Sequence, residues 1–222
     1  MNIDDLRLSL QVAGLATVLC VLAGTPLAWI LARGRFAGRS ILETLVTLPL
    51  VLPPTVVGYY LLRALGRGSP LGRFLEDDLG VRLVFTWQGA AFGAAILSAP
   101  LLIRTAQTAF EQVDPELELV AATLGRNRLT VFLTVTLPLS IRGISAGIAL
   151  AFARAVGEFG ATVMIAGNIP GRTRTLSVAV YDALQAGDLE RANTAALVLI
   201  LISGASLVAF GYSAGLLRRA SS

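Results

Sequence analysis

Apolar positions gather into five runs, at about 8–32, 41–65, 84–103, 141–166 and 192–217, and polar residues crowd the gaps between them. A helix rising about 1.5 Å per residue crosses a hydrocarbon core of about 30 Å in roughly 20 residues, so each run is long enough to span a bilayer. The pattern predicts an all-α integral membrane protein with five crossing helices in a single membrane domain over 1–222. Neither an internal repeat nor a low-complexity tract divides the chain.

The runs differ in regularity. The second contains TLPLVLPPTVVGYYLL, where Pro49, Pro53 and Pro54 interrupt a helix at membrane depth. Such a break needs neighbouring helices or a water-lined cavity for the freed carbonyls, so it reads either as a structural kink or as a pore-lining element. The third run opens at Trp87, an interfacial anchor, and closes at Arg104. The fourth carries Arg154 and Glu158, four residues apart and therefore on one helical face. Charges at this depth face the bundle interior. They form either a gate or subunit contact beside a pathway, or a pair that fixes helix packing.

Two polar gaps carry detail of their own. After the fourth run, Gly167, Asn168, Pro170 and Gly171 make a turn cluster, which is expected to display Arg172 and Arg174 to solvent. Between the third and fourth runs, about 111–138, the chain reads ELVAATLGRNRLTVFLTVTLP from Glu118 to Pro138. Ala121 and Ala122 leave backbone accessible, and Gly125 can take the left-handed position that ends one helix and turns the chain into the next. The expected product is a compact helix–turn–helix foot; an ordinary amphipathic interfacial helix is the alternative.

Composition sharpens the picture. Hydrophobic residues make up 55% of the 222 positions and charged residues 14%, with a mean hydropathy of +0.74, far from soluble composition. The net charge is +4, and all 18 basic residues are arginine. Lysine is absent, and with it the phosphate-binding lysine of a P-loop, so ATP hydrolysis would belong to another chain. Histidine is also absent and Cys20 is the single cysteine, which excludes intrachain disulfides, Cys-X-X-Cys chemistry and a histidine metal site. No catalytic residue, cofactor or metal is expected. No basic cluster with interleaved aromatics suggests nucleic acid. Asp4 and Asp5 stand where a secretory signal carries positive charge, so the first run is expected to be a retained span.

The foot resembles the cytoplasmic coupling motif of ABC importer permeases, whose pattern is Glu-Ala-Ala, a glycine, then a hydrophobic-X-Leu-Pro ending. Gly125 matches the glycine and Leu137-Pro138 the ending; Leu119-Val120-Ala121 stand where the family has Glu-Ala-Ala, with Glu118 the nearby acid. GEFGATVMIAGNIPG, residues 157–171, is similar to the oxyanion branch shared by sulfate and molybdate permeases. TLSVAVYDALQAGDLERAN and LPLVLPPTVVGYYLL look more like the molybdate permeases.

The resemblance covers nearly the whole chain and implies a type I ABC importer transmembrane domain in the bacterial inner membrane. It implies a second copy of the chain, two copies of a separate ATP-binding subunit and an outer oxyanion-binding protein delivering molybdate or tungstate, with sulfate or thiosulfate as the alternative. It also implies coupling through Glu118, Ala121, Ala122, Gly125, Leu137 and Pro138, and a cytoplasmic foot. The N-terminus would then lie outside and the C-terminus inside, although the arginine counts of the two sides are nearly tied. Arg172 and Arg174 become candidates for docking the binding protein. A secondary transporter or channel using Arg154 and Glu158 as a relay is a competing class, but the chain lacks the inverted second half many such proteins carry. A non-transporting membrane anchor leaves the broken second span and the intramembrane charges unexplained.

Overall fold

The computed structural model describes residues 2–219, and side chains for 2–209. Regular structure among the described residues is entirely helical. Four helices are long and apolar enough to cross a membrane, and a bent pair makes a fifth candidate.

Helix α1 runs Ile3–Arg33. Asn2 caps it by accepting the Asp4 amide, and Asp4 and Asp5 sit in its first turn, where the helix dipole favours acids. A widened π-turn, Cys20–Gly24, interrupts it two residues before Pro26. That proline has no N–H with which to close the regular ladder, and a π-turn absorbs the mismatch.

The second apolar run divides into α2, Arg39–Val51, and α3, Pro54–Leu65, bent by 112° at the junction. The tandem prolines cause the break. Each bars the residue before it from the helical region, and Leu52 and Pro53 accordingly take ψ of 142° and 132°. Short helical turns follow within residues 70–78.

Helix α4, Trp87–Glu111, is the axis of the bundle. Thr86 caps it by accepting the Gly89 amide at 3.1 Å. Ala90, Ala91, Ala94, Ala95, Ala106 and Phe110 of this helix are buried in the main core. A short helix, α5, covers Pro115–Thr123. Helix α6, Arg128–Val156, then packs along α4 with Gly143 against Ala109, too close for any larger side chain, and Gly147 tight against Leu102. Small residues let the two backbones approach, as packing between membrane helices favours.

Three more helices follow among the described residues: α7, Gly160–Ala166, α8, Leu176–Gln185, and α9, Leu189–Arg219. Here the structure departs from the expected span at 141–166. The crossing helix begins near 128 and ends at Val156, and 160–166 is a separate short helix. The stretch 128–138, expected to belong wholly to the foot, supplies the first turns of the span. Helix α7 packs on α3, with Gly58 against Ala161 and Met164, and Gly160 against Pro54.

Candidate functional site at the foot of the bundle

The foot is built by caps and one turn. Asp114 accepts the Glu116 amide at 2.9 Å and Pro115 occupies the first turn of α5, where its missing N–H costs nothing. The helix stops at Leu124, and Gly125 takes φ of +79° with its amide on Ala122 O at 3.0 Å. Asn127 then accepts the Thr130 amide at 2.8 Å and starts α6.

One carboxylate holds this unit to the bundle. Glu118 Oε1 accepts from Arg33 Nη2 at 2.9 Å and from the Thr136 hydroxyl at 2.7 Å, and Arg33 Nη2 also donates to Val113 O at 2.8 Å. The end of α1, helix α5 and the start of α6 are thereby joined. Phe132 packs against Trp29 and Phe110, with ring centroids 5.2 and 5.9 Å apart. A groove of about 590 Å³ opens between these elements.

The placement of the expected coupling residues is uneven. Glu118 turns inward to its two partners, Ala122 lines the groove, Ala121 is half-buried, and Pro138 is exposed. Leu137 packs against the main core. On the opposite side of α5, Leu117, Val120 and Leu124 are exposed. That stripe was not singled out from sequence, though its i, i+3, i+7 spacing was the available signal.

Arg154 and Glu158 do pair, Nη1 to Oε2 at 2.6 Å. Glu158 does more than pair: its Oε1 accepts the Ala161 amide at 2.9 Å, and its carbonyl accepts the Ser177 hydroxyl at 2.7 Å. The residue thus joins the end of α6 to the starts of α7 and α8. Pro54 lies against Gly160, two residues from Glu158, so the helix break at Pro53 and Pro54 and the ion pair share one neighbourhood.

Arg172 and Arg174 part company. Arg172 is exposed, but Arg174 is buried and is not displayed to solvent as expected. Its Nε donates to Asp5 Oδ1 at 3.2 Å and its Nη1 to Asp182 Oδ2 at 2.9 Å, and Asn168 holds the other Asp182 oxygen at 2.9 Å. The two carboxylates draw the guanidinium inward, so the outer-docking expectation for Arg174 gives way to a latch between α1 and α8.

A second polar cluster, between α2 and α4, was not anticipated. Arg104 donates to the Thr47 hydroxyl at 2.7 Å and to Glu43 O at 3.0 Å. Arg39 bridges Glu43 and Glu111 at 3.0 and 3.2 Å. The i, i+4 spacing of Arg39 and Glu43 was its sequence signal.

These features define a polytopic helical membrane subunit that carries a braced helical foot. Over residues 24–221 the chain matches the family described as "Binding-protein-dependent transport system inner membrane component", and it belongs to that family. It is 48% identical over 178 residues to "Molybdenum transport system permease protein ModB" of Escherichia coli K12, covering 80% of this chain and 78% of the relative. The protein of the same name in Haemophilus influenzae is 42% identical, covering 91% and 88%. "Sulfate transport system permease protein CysT" of Salmonella typhimurium is 38% identical, covering 89% and 71%. Among solved structures, a bacterial ABC transporter involved in alginate import superposes with a TM-score of 0.76 at 16% identity, covering 96% of this chain and 78% of that one. The MetNI methionine ABC transporter gives 0.70 at 15%, covering 97% and 95%. At such identities the likeness is one of fold.

Proposed function

We propose that this chain is the permease subunit of an ATP-driven importer of molybdate, with tungstate as an alternative cargo of the same tetrahedral chemistry. Two copies form the pathway, two copies of an ATP-binding subunit engage the feet, and an outer oxyanion-binding protein delivers the anion. The foot faces the cytoplasm, where ATP is, so the N-terminus lies outside and the C-terminus inside. The observation that carries this reading is the foot itself: α5 is braced through Glu118 while Leu117, Val120 and Leu124 are exposed on its far side. The choice of anion is supported by the two molybdenum permeases, at 48% and 42% identity, standing above the sulfate permease at 38%.

The chemistry is conformational. Closure of the ATP-binding dimer draws the two feet together, and the Glu118 contacts pass that movement to α1 and α6 as rigid bodies. At its other end α6 meets α7 through Glu158, beside the broken α2–α3 span, where a pathway can open or close. Arg172, exposed on the outer segment, is a docking residue for the binding protein.

The test is to co-purify the chain with its ATP-binding subunit and measure ATP hydrolysis with binding protein loaded with molybdate, tungstate or sulfate. Stimulation by the molybdate-loaded protein above the sulfate-loaded one is expected. Anion flux through the purified chain in vesicles, without ATP or partners, would replace this reading with a secondary transporter.

A further inference from the structure

Beyond Ala122 and the Glu118 brace to Arg33 and Thr136, the groove at the foot is lined by residues that the coupling reading does not use. Its floor is apolar and aromatic, with Trp29, Ile30 and Phe132, and its rim carries Arg33, Arg126 and Arg128 against a single acid, Glu118. Glu118 is already committed to Arg33 at 2.9 Å. Arg126 and Arg128 are exposed, and neither has an ion pair among the described residues. The Nε of Arg33 is buried without a hydrogen-bond partner among them. A buried donor left unmade is costly, and here it lies beside two unneutralised cations.

The geometry points to a binding site for an anionic phospholipid, its phosphate among Arg33, Arg126 and Arg128 and its acyl chain on Trp29, Ile30 and Phe132. The volume of 590 Å³ falls in the range of about 300–1,000 Å³ usual for organic ligands, far more than a lone tetrahedral anion fills. The apolar floor likewise has no role for a lone anion. The groove lies where α1 ends and α6 begins, at the ends of two spans, and basic pockets between such helices take anionic headgroups. Pro115, Glu118, Leu119 and Ala122 turn one face of α5 to the groove. Leu117, Val120 and Leu124 lie on the other, so lipid and ATP-binding subunit use opposite sides of one helix.

Which leaflet supplies the lipid rests on the proposed orientation; the experiment does not. Trp87→Phe leaves Trp29, in the groove, as the only tryptophan. The purified full-length chain is placed in nanodiscs with brominated phosphatidylglycerol or brominated phosphatidylcholine, and Trp29 quenching is followed against mole fraction. Phosphatidylglycerol is expected to quench at about tenfold lower mole fraction. The preference should vanish in Arg126→Gln/Arg128→Gln and weaken in Leu119→Glu, with phosphatidylcholine quenching unchanged in both, which reports an intact fold. Equal quenching by the two lipids, or a preference surviving the double substitution, overturns the site. Relief of quenching by millimolar inorganic phosphate overturns it too, in favour of a free-anion site. ATPase coupling is a separate measurement, so either reading can fail without the other.

Discussion

At the scale of the residue, burial separates charges that look alike in the sequence. Asp5 is 1% exposed and its partner Arg174 lies 169 positions away, so no local pattern could show that Arg174 turns inward while Arg172 stays in solvent. Arg174→Gln strands a buried carboxylate, a loss of about 3–5 kcal/mol, which Asp5→Asn in the same chain should largely restore. Arg172→Gln should leave stability within about 0.5 kcal/mol and act instead on the rate of binding-protein docking, most clearly at low salt. Thermal unfolding in detergent and docking kinetics separate the two; a destabilised Arg172→Gln or an unaffected Arg174→Gln reverses the assignment. The Arg154–Glu158 pair is asymmetric in the same sense, with side chains 31% and 1% exposed. Water can reach Arg154 once its partner is gone, and glutamine at 158 still accepts the Ala161 amide. Glu158→Gln should therefore be the milder change and Arg154→Gln the harsher. If the double variant recovers stability and transport together, the pair serves packing; if stability returns and ATP hydrolysis no longer responds to loaded binding protein, it serves gating.

At the scale of the element, sequence was most readable where a residue constrains its own neighbours. The tandem prolines impose the break after Leu52, and Gly125 marks the turn of the foot, because both effects are local backbone sterics. Of the three π-turns among the described residues, the two that lie within spanning helices, Cys20–Gly24 and Phe132–Thr136, each end two residues before a proline, Pro26 and Pro138, and the third, Phe74–Asp78, does not. That regularity was available, but Phe132–Thr136 lay in the stretch read as foot, and Cys20–Gly24 was hidden inside an apolar run that hydropathy treats as uniform. The end of the fourth span was hidden for the same reason, since Ala161, Val163 and Ile165 of α7 are as apolar as the helix before them. The direction of Glu118 was not local at all: its partners stand 85 and 18 residues away. Gly125 allows a clean test, because a Cβ there would meet nothing within 4 Å and the cost of a side chain is backbone strain alone. That strain is about 1–2 kcal/mol for an ordinary residue and less for asparagine. Gly125→Asn should assemble with the ATP-binding subunit nearly as the parent does, and Gly125→Val should assemble weakly, with membrane insertion intact in both. Equal assembly of the two variants removes the left-handed turn from the account.

At the scale of the whole molecule, α1 is clamped at both ends, by Asp5 to Arg174 and by Arg33 to Glu118. Its 31 residues extend about 46 Å at about 1.5 Å each, so a displacement of the foot is felt at the far face without any side-chain relay through the core. In the proposed coupling the foot receives force from the ATP-binding subunit, and the exposed stripe of Leu117, Val120 and Leu124 is the surface offered to it. A carboxylate placed there and buried without a partner costs about 3 kcal/mol, on the order of a hundredfold in Kd. Val120→Glu is therefore expected to release the ATP-binding subunit during co-purification while the chain still inserts and still docks loaded binding protein. Leu119→Glu, one residue away but on the groove face, should retain the subunit. The contrast between adjacent positions carries the test, since a general weakening of α5 would affect both. Loss of association in both variants, or in neither, places the ATP-binding subunit elsewhere and takes the exposed stripe out of the coupling mechanism.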